Sequence, residues 1–235
     1  MDPWPLRLIA AEIEIIKMPP SENTTTRLIL VRHGKQQSTS ERSAADRQDP
    51  PLGDQGRQQA VRRAEDLAEE LASIRPLCIV SSPMRRALMT AAPSAAALDT
   101  PLLVHGACYE YGCAGAEFRG SGKDAILAIA PNATLMNVGP NGEWEYAGSS
   151  ANGELEQEAK QRVRNVVAWL REELLPQARG GAAILFAHQT FLDLLLQVLL
   201  TGSDEKWTYG MPRHKLAHAG VARVLVHDGR FEKEA

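Results

Sequence analysis

The apolar positions of this chain fall into two rhythms that alternate along its length. Leu28-Ile29-Leu30-Val31 is an unbroken apolar run of strand length, the pattern of a strand covered on both faces. A polar loop reaches Gly53, and then Ala60, Val61, Ala64, Leu67, Ala68 and Leu71 recur at helical spacing with charges between them. Cys78-Ile79-Val80 is a second short strand, the Ala-rich residues 84–98 a second helix, and Leu102-Leu103-Val104 a third strand. Residues 106–153 are rich in Gly and Asn and show little periodicity; so long a connection is expected to line a binding site. Periodicity returns with Leu155, Ala159, Val163, Val166, Val167, Leu170 and Leu174 on one face of a long helix. Residues 182–187 then read as a strand, 190–200 as a buried helix, and 221–226 as a final strand before an Asp228-Gly229 turn.

Strands alternating with helices predict an α/β fold, a three-layer αβα sandwich around a mostly parallel sheet. In such sheets ligands bind beyond the carboxyl ends of the strands, which is where Arg32-His33 and His188 fall. The reading places an N-terminal extension at residues 1–26, ending in Pro19-Pro20 and a Ser/Thr-rich linker. One domain follows from 27 to 235, with a loop insertion around 106–152.

Composition changes this picture only by exclusion. The 235 residues are 44% hydrophobic and 23% charged, with a net charge of −3, so there is no basic field for nucleic acid and an anion site must be a local cluster of cations. The apolar stretch at 8–16 is interrupted by Glu12 and Glu14, and residues 191–200 are too few to cross a bilayer; no membrane partner and a cytoplasmic location are the expectations. Cys78, Cys108 and Cys113 match neither a zinc site nor a disulfide framework, and His105, His214 and His227 lack metal-ligand spacing, so no metal or cofactor is expected.

Metal-free phosphoryl transfer needs a neutral nucleophile, cations for the phosphoryl oxygens and an acid for the leaving oxygen. Imidazole is largely neutral near pH 7, and arginine offers two parallel charge-assisted hydrogen bonds. Arg32-His33-Gly34 sets both types directly after a buried strand, with Gly34 leaving room for a sharp turn.

Five segments in order extend this triplet, and together they resemble the histidine phosphatase superfamily, in its phosphoglycerate mutase-like branch. Residues 28–34 are similar to that family's first strand and Arg-His-Gly signature, and Leu52-Gly53-Asp54-Gln55-Gly56-Arg57-Gln58-Gln59-Ala60 to its next helix start. Ser81-Ser82-Pro83-Met84-Arg85-Arg86-Ala87 resembles its Ser-Ser-Pro segment, residues 153–170 its long helix, and 183–188 the strand ending in a second histidine. The resemblance implies His33 as nucleophile, Arg32 and Arg86 as the phosphoryl clamp with Arg85 solvated, and His188 on the same oxygens. It also implies Glu110 as the leaving-group acid, with Glu117 as its competitor.

The chain departs from the family pattern at three places. Lys35-Gln36 follow the signature where Glu or Gln and then Ser or Thr are common, Gln189 stands where Gly is common, and His218 where Asn is common. Gly34, Lys35, Gln36 and Gln189 are therefore the candidate substrate contacts, Lys35 either as a cation at the pocket mouth or as a solvated side chain. The implied activity is metal-independent hydrolysis of a small phosphomonoester through a phosphohistidine. The alternatives are mutase-type phosphoryl transfer and a non-catalytic phospho-ligand binder.

Overall fold

The structure is a computed structural model that describes residues 25–234, except 44, 45, 75, 145–147 and 152. The first 24 residues of the expected extension, and Tyr146 of the long loop, lie outside the described residues.

Among the described residues seven strands form one sheet: β1 (Thr26–Arg32), β2 (Pro76–Ser81), β3 (Leu102–His105), β4 (Thr134–Met136), β5 (Ala182–Ala187), β6 (Val221–His227) and β7 (Arg230–Lys233). Their spatial order is β4-β3-β2-β5-β1-β6-β7. The β4 to β1 pairings are parallel, while β6 runs antiparallel to β1 and β7 to β6. Among the described residues the α-helices are α1 (Asp54–Glu70), α2 (Arg85–Ala97), α3 (Lys123–Ile129), α4 (Glu156–Trp169), the short α5 (Leu175–Gln177) and α6 (Gln189–Thr201). A π-helical turn, Leu170–Leu174, joins α4 to α5.

Side chains on a strand point alternately to opposite faces, so an unbroken apolar run feeds two cores. Leu28 and Leu30 pack with Val163, Val166, Phe191 and Leu195 of α4 and α6. Ile29 and Val31 pack on the other face with Leu67 of α1 and Ala91 of α2. The three layers follow from this split. Cys78 is 2% exposed and fills the first core, as a small apolar residue would. Among the described residues no helix is long and apolar enough to cross a membrane.

The stretch expected to be unstructured is only partly so. It holds α3 and the edge strand β4, which pairs with β3 from Leu103↔Thr134 to His105↔Met136. Trp144 and Phe118 anchor the rest of it: Trp144 is fully buried against Tyr109 and Phe118. The Asp228-Gly229 turn does not end the fold but closes a hairpin onto β7.

Candidate active site

Parallel pairing of β1 with β5 puts Arg32 opposite Ala187, so the next residue of each strand emerges on the same edge. The His33 N–H donates to the Ala187 carbonyl at 2.9 Å, and the His33 and His188 ring centroids lie 5.1 Å apart. β2 ends beside β5, with the Ser82 N–H on the Phe186 carbonyl at 2.9 Å; this aims the start of α2, and with it Arg86, at the two histidines. The turn after His33 is pressed against α1. A Cβ at Gly34 would sit 2.7 Å from the Gly56 carbonyl, and one at Gly56 only 2.0 Å from the Lys35 carbonyl, so neither position accepts a side chain without moving backbone. The Gly34 N–H donates to Thr90 Oγ1 at 3.0 Å, tying the turn to α2.

His33 is 5% exposed, and its Nδ1 donates to the Gly34 carbonyl at 2.6 Å. That bond places the ring proton on Nδ1 and leaves Nε2 with a lone pair, which accepts from Arg86 Nε at 3.3 Å. Burial, then the charge of Arg86, hold the His33 pKa well below its usual value, so the ring is neutral at physiological pH. His188 is fully buried, with Nε2 2.7 Å from Ser82 Oγ and Nδ1 without a partner among the described residues. Its pKa is also far below the ordinary range, through burial first and Arg86 second. Arg32 Nη1 donates to the Leu216 carbonyl at 2.7 Å and Nη2 to His218 Nε2 at 3.3 Å, while Nε is buried and unpartnered among the described residues. The ring of His218 stands 5.9 Å from that of His33. The cluster thus holds two guanidiniums with donors to spare, a neutral imidazole whose one lone pair is aimed at Arg86, and a second neutral imidazole. It can bind a tetrahedral oxyanion and attack it.

Burial of uncharged imidazoles has a consequence for stability. His105, fully buried with Nδ1 accepting the Ala107 N–H, is pushed by burial from 6.5 to about 3. Between those values the unfolded chain binds a proton that the folded one does not, so stability is complete above 6.5 and falls as pH drops. The slope reaches about 1.4 kcal/mol per pH unit for one such group. His33 and His188 add in the same direction, whereas Asp49, raised by burial, opposes them. Thermal melts should show a falling midpoint from pH 7 to pH 4.5; a flat profile would contradict the buried neutral state.

The other expected residues are placed as follows. Glu110 is half-buried at the entrance to α6: Oε1 accepts from the N–H of Tyr111 at 2.9 Å and of Phe191 at 3.0 Å, and Oε2 from the N–H of Thr190 at 3.3 Å. Its charge is felt by Arg32, while Glu117 is exposed to solvent. Lys35 is exposed and donates through Nζ to Gln55 Oε1 at 3.1 Å. Gln36 pairs through its backbone with Leu52. Both ends of the Gln189 amide are used, Nε2 on the His214 carbonyl and Oε1 on the Leu216 N–H, each at 2.8 Å, so it pins the loop that also meets Arg32. Arg85 is turned away from the histidines and donates to Asp46 Oδ1 at 2.5 Å.

Two residues of the cluster escaped the sequence reading. Asp49, 3% exposed, accepts from the Arg85 N–H with both oxygens (3.1 and 3.2 Å), accepts from Ser121 Oγ, and lies 4.0 Å from Arg86 Nη1. Its only sequence signal was a carboxylate set directly before Pro50-Pro51-Leu52. Ser82 was visible in the Ser-Ser-Pro segment but not as a partner of His188. Among the described residues no group of three His, Cys, Asp or Glu side chains could hold a metal ion.

Comparison with known proteins agrees with this geometry. The sequence description of the Histidine phosphatase superfamily (branch 1) matches residues 28–235. No curated protein sequence matches the chain. Among solved structures, the native mycobacterial glucosyl-3-phosphoglycerate phosphatase is 25% identical, with a TM-score of 0.59 over 90% of this chain and 98% of that one. The structure titled mycobacterial hydrolase 1 is 24% identical, with a TM-score of 0.58 over 90% and 97%. The ecdysone phosphate phosphatase of Bombix mori, in complex with tungstate, is 16% identical, with a TM-score of 0.62 over 89% and 92%. With the signature residues gathered at one sheet edge and the family description spanning nearly all of the chain, the protein belongs to the histidine phosphatase superfamily, branch 1.

Proposed function

We propose that the protein is a metal-independent phosphomonoesterase that hydrolyses a small phosphorylated metabolite through a phosphohistidine on His33. One observation carries the reading: the Nδ1–H bond to the Gly34 carbonyl turns the Nε2 lone pair of a neutral, buried ring toward Arg86. In the first step Nε2 forms a bond to phosphorus as the bond to the leaving oxygen breaks, and Glu110 gives that oxygen a proton. Arg32, Arg86 and His188 take the charge spread over the phosphoryl oxygens. The Gly34 carbonyl, 2.6 Å from Nδ1, stabilises the positive ring that results. In the second step water gives a proton to the Glu110 carboxylate and its oxygen attacks phosphorus. The N–P bond then breaks, and the ring returns to its neutral tautomer. The phosphatase names of the relatives of similar fold favour water as the acceptor.

The test is to mix the protein with an aryl phosphate in EDTA, quench in alkali and map the phosphoryl group by peptide mass spectrometry. The expected result is release of inorganic phosphate together with an acid-labile, alkali-stable label on the peptide containing His33. Phosphate release with the label elsewhere, or release that EDTA abolishes, would overturn the proposal.

A further inference from the structure

We infer that Ser82 is a positioning residue that fixes His188 as its Nδ1–H tautomer, so that the unpartnered nitrogen of this ring meets an incoming phosphoryl oxygen as a donor. The inference rests on the anion-binding role given to His188 in the proposed function and goes beyond it by naming what makes that ring a donor.

The argument is one of hydrogen-bond satisfaction. Ser82 and His188 are both fully buried, and their contact at 2.7 Å joins Oγ to Nε2. Either atom of such a pair can hold the proton, so the neighbours decide. Ser82 Oγ already accepts the Met84 N–H at 3.2 Å, and the Ser82 carbonyl is taken by Ser81 Oγ at 2.9 Å. If His188 Nε2 donated to Ser82, Oγ would accept twice and the hydroxyl proton would be buried without an acceptor, at a cost of a lost hydrogen bond. If the hydroxyl donates to Nε2, both atoms of the contact are satisfied and only Nδ1–H is left unpaired among the described residues, against two groups, the hydroxyl proton and the Nδ1 lone pair, in the opposite tautomer.

A neutral imidazole has one protonated nitrogen, and burial first and the charge of Arg86 second hold the pKa of this ring well below its usual value, so it does not take a second proton at neutral pH. With Nε2 as acceptor, the proton is on Nδ1. That atom is buried and has no partner among the described residues, beside His33 at 5.1 Å between ring centroids. An unpaired buried N–H is a standing cost that an anion's oxygen removes on binding. The opposite tautomer would set a nitrogen lone pair against the lone pairs of that oxygen and repel it. Ser82 thus converts a strand-end hydroxyl into selectivity for anions at the neighbouring ring. It does so without touching substrate.

The decisive measurement is ¹⁵N NMR of the histidine-labelled protein, with His188→Asn used to assign the signal. In the wild type, with and without inorganic phosphate, the expected pattern has Nε2 as the unprotonated, downfield nitrogen of His188 and Nδ1 as the protonated one. In Ser82→Ala that pattern should reverse or average, with kcat/KM for an aryl phosphate falling about 10- to 100-fold and inorganic phosphate inhibiting about 10-fold more weakly. Ser82→Thr, which keeps the hydroxyl, should restore the tautomer. A wild-type His188 protonated on Nε2 would overturn the inference whatever the variants do, and so would unchanged kcat/KM and phosphate inhibition in a folded Ser82→Ala. Failure of the proposed function reads differently: no label on His33, with the His188 tautomer and phosphate binding still dependent on the Ser82 hydroxyl.

Discussion

Replacing His33 by alanine is expected to lower phosphate release from an aryl phosphate about ten-thousand-fold or more while leaving the chain folded. The magnitude follows from what the ring does. In the proposed mechanism it is the group that bonds to phosphorus, so its loss removes the two-step route rather than weakening one contact. The residue that remains behind is a pocket of cations, Arg32 with a free Nε and Arg86 released from its 3.3 Å contact with Nε2. That pocket still binds oxyanions, so inhibition by inorganic phosphate should change far less than kcat. The contrast between the two measurements separates loss of chemistry from loss of the site. A His33→Ala protein that keeps turnover within tenfold of the wild type would sink the phosphohistidine mechanism.

How much of this could be read from the residues differs by element, and the reason is physical. β1 and β5 were legible because they are buried on both faces: Leu28 to Val31 and Ala182 to Ala187 leave no polar position to disguise the run. β4 and β7 were not. The three residues Thr134–Met136 are half-exposed and lie among Asn and Gly, and Arg230–Lys233 alternates charge at the sheet edge, so neither shows a strand pattern. The histidines and arginines were legible because a strand end fixes where the next residue emerges. Their supports were not: Asp49, Ser82 and Thr90 act through hydrogen bonds that span 36, 106 and 56 residues of sequence. No periodicity reports such bonds. Gln189 shows the same limit from the other side. The sequence marks it as unusual, but only the fold shows both ends of its amide holding the loop at His214 and Leu216.

The largest stability effect is expected at Arg162, a buried residue outside the proposed phosphoryl clamp. It lies on α4, 2% exposed, with its guanidinium 3.8 Å over the Tyr109 ring. Nε donates to Glu154 Oε2 at 2.9 Å, Nη2 to Glu154 Oε1, and Nη1 to the carbonyls of Ala107 at 2.6 Å and Tyr109 at 3.1 Å. Methionine here fills much of the volume but leaves the Glu154 carboxylate, itself 6% exposed, buried without its cation and removes the Nη1 bonds to Ala107 and Tyr109. Removing one partner of such a pair costs about 3–5 kcal/mol, which for a chain of this size lowers the melting midpoint by roughly 6–20 °C. Replacing both partners, Arg162→Met with Glu154→Leu, should recover part of that loss, since the uncompensated charge is gone while the hydrogen bonds that Nη1 gave are still missing. Denaturant melts of the two variants measure the difference, and Arg162→Met within 1 kcal/mol of the wild type would refute the account. The same guanidinium fixes the segment that ends in Glu110. The single variant, assayed well below its melting midpoint, should therefore lose kcat more than it loses phosphate inhibition, because the displaced group is the proposed proton donor and not the proposed clamp. Equal losses in both would mean that the network supports the fold alone.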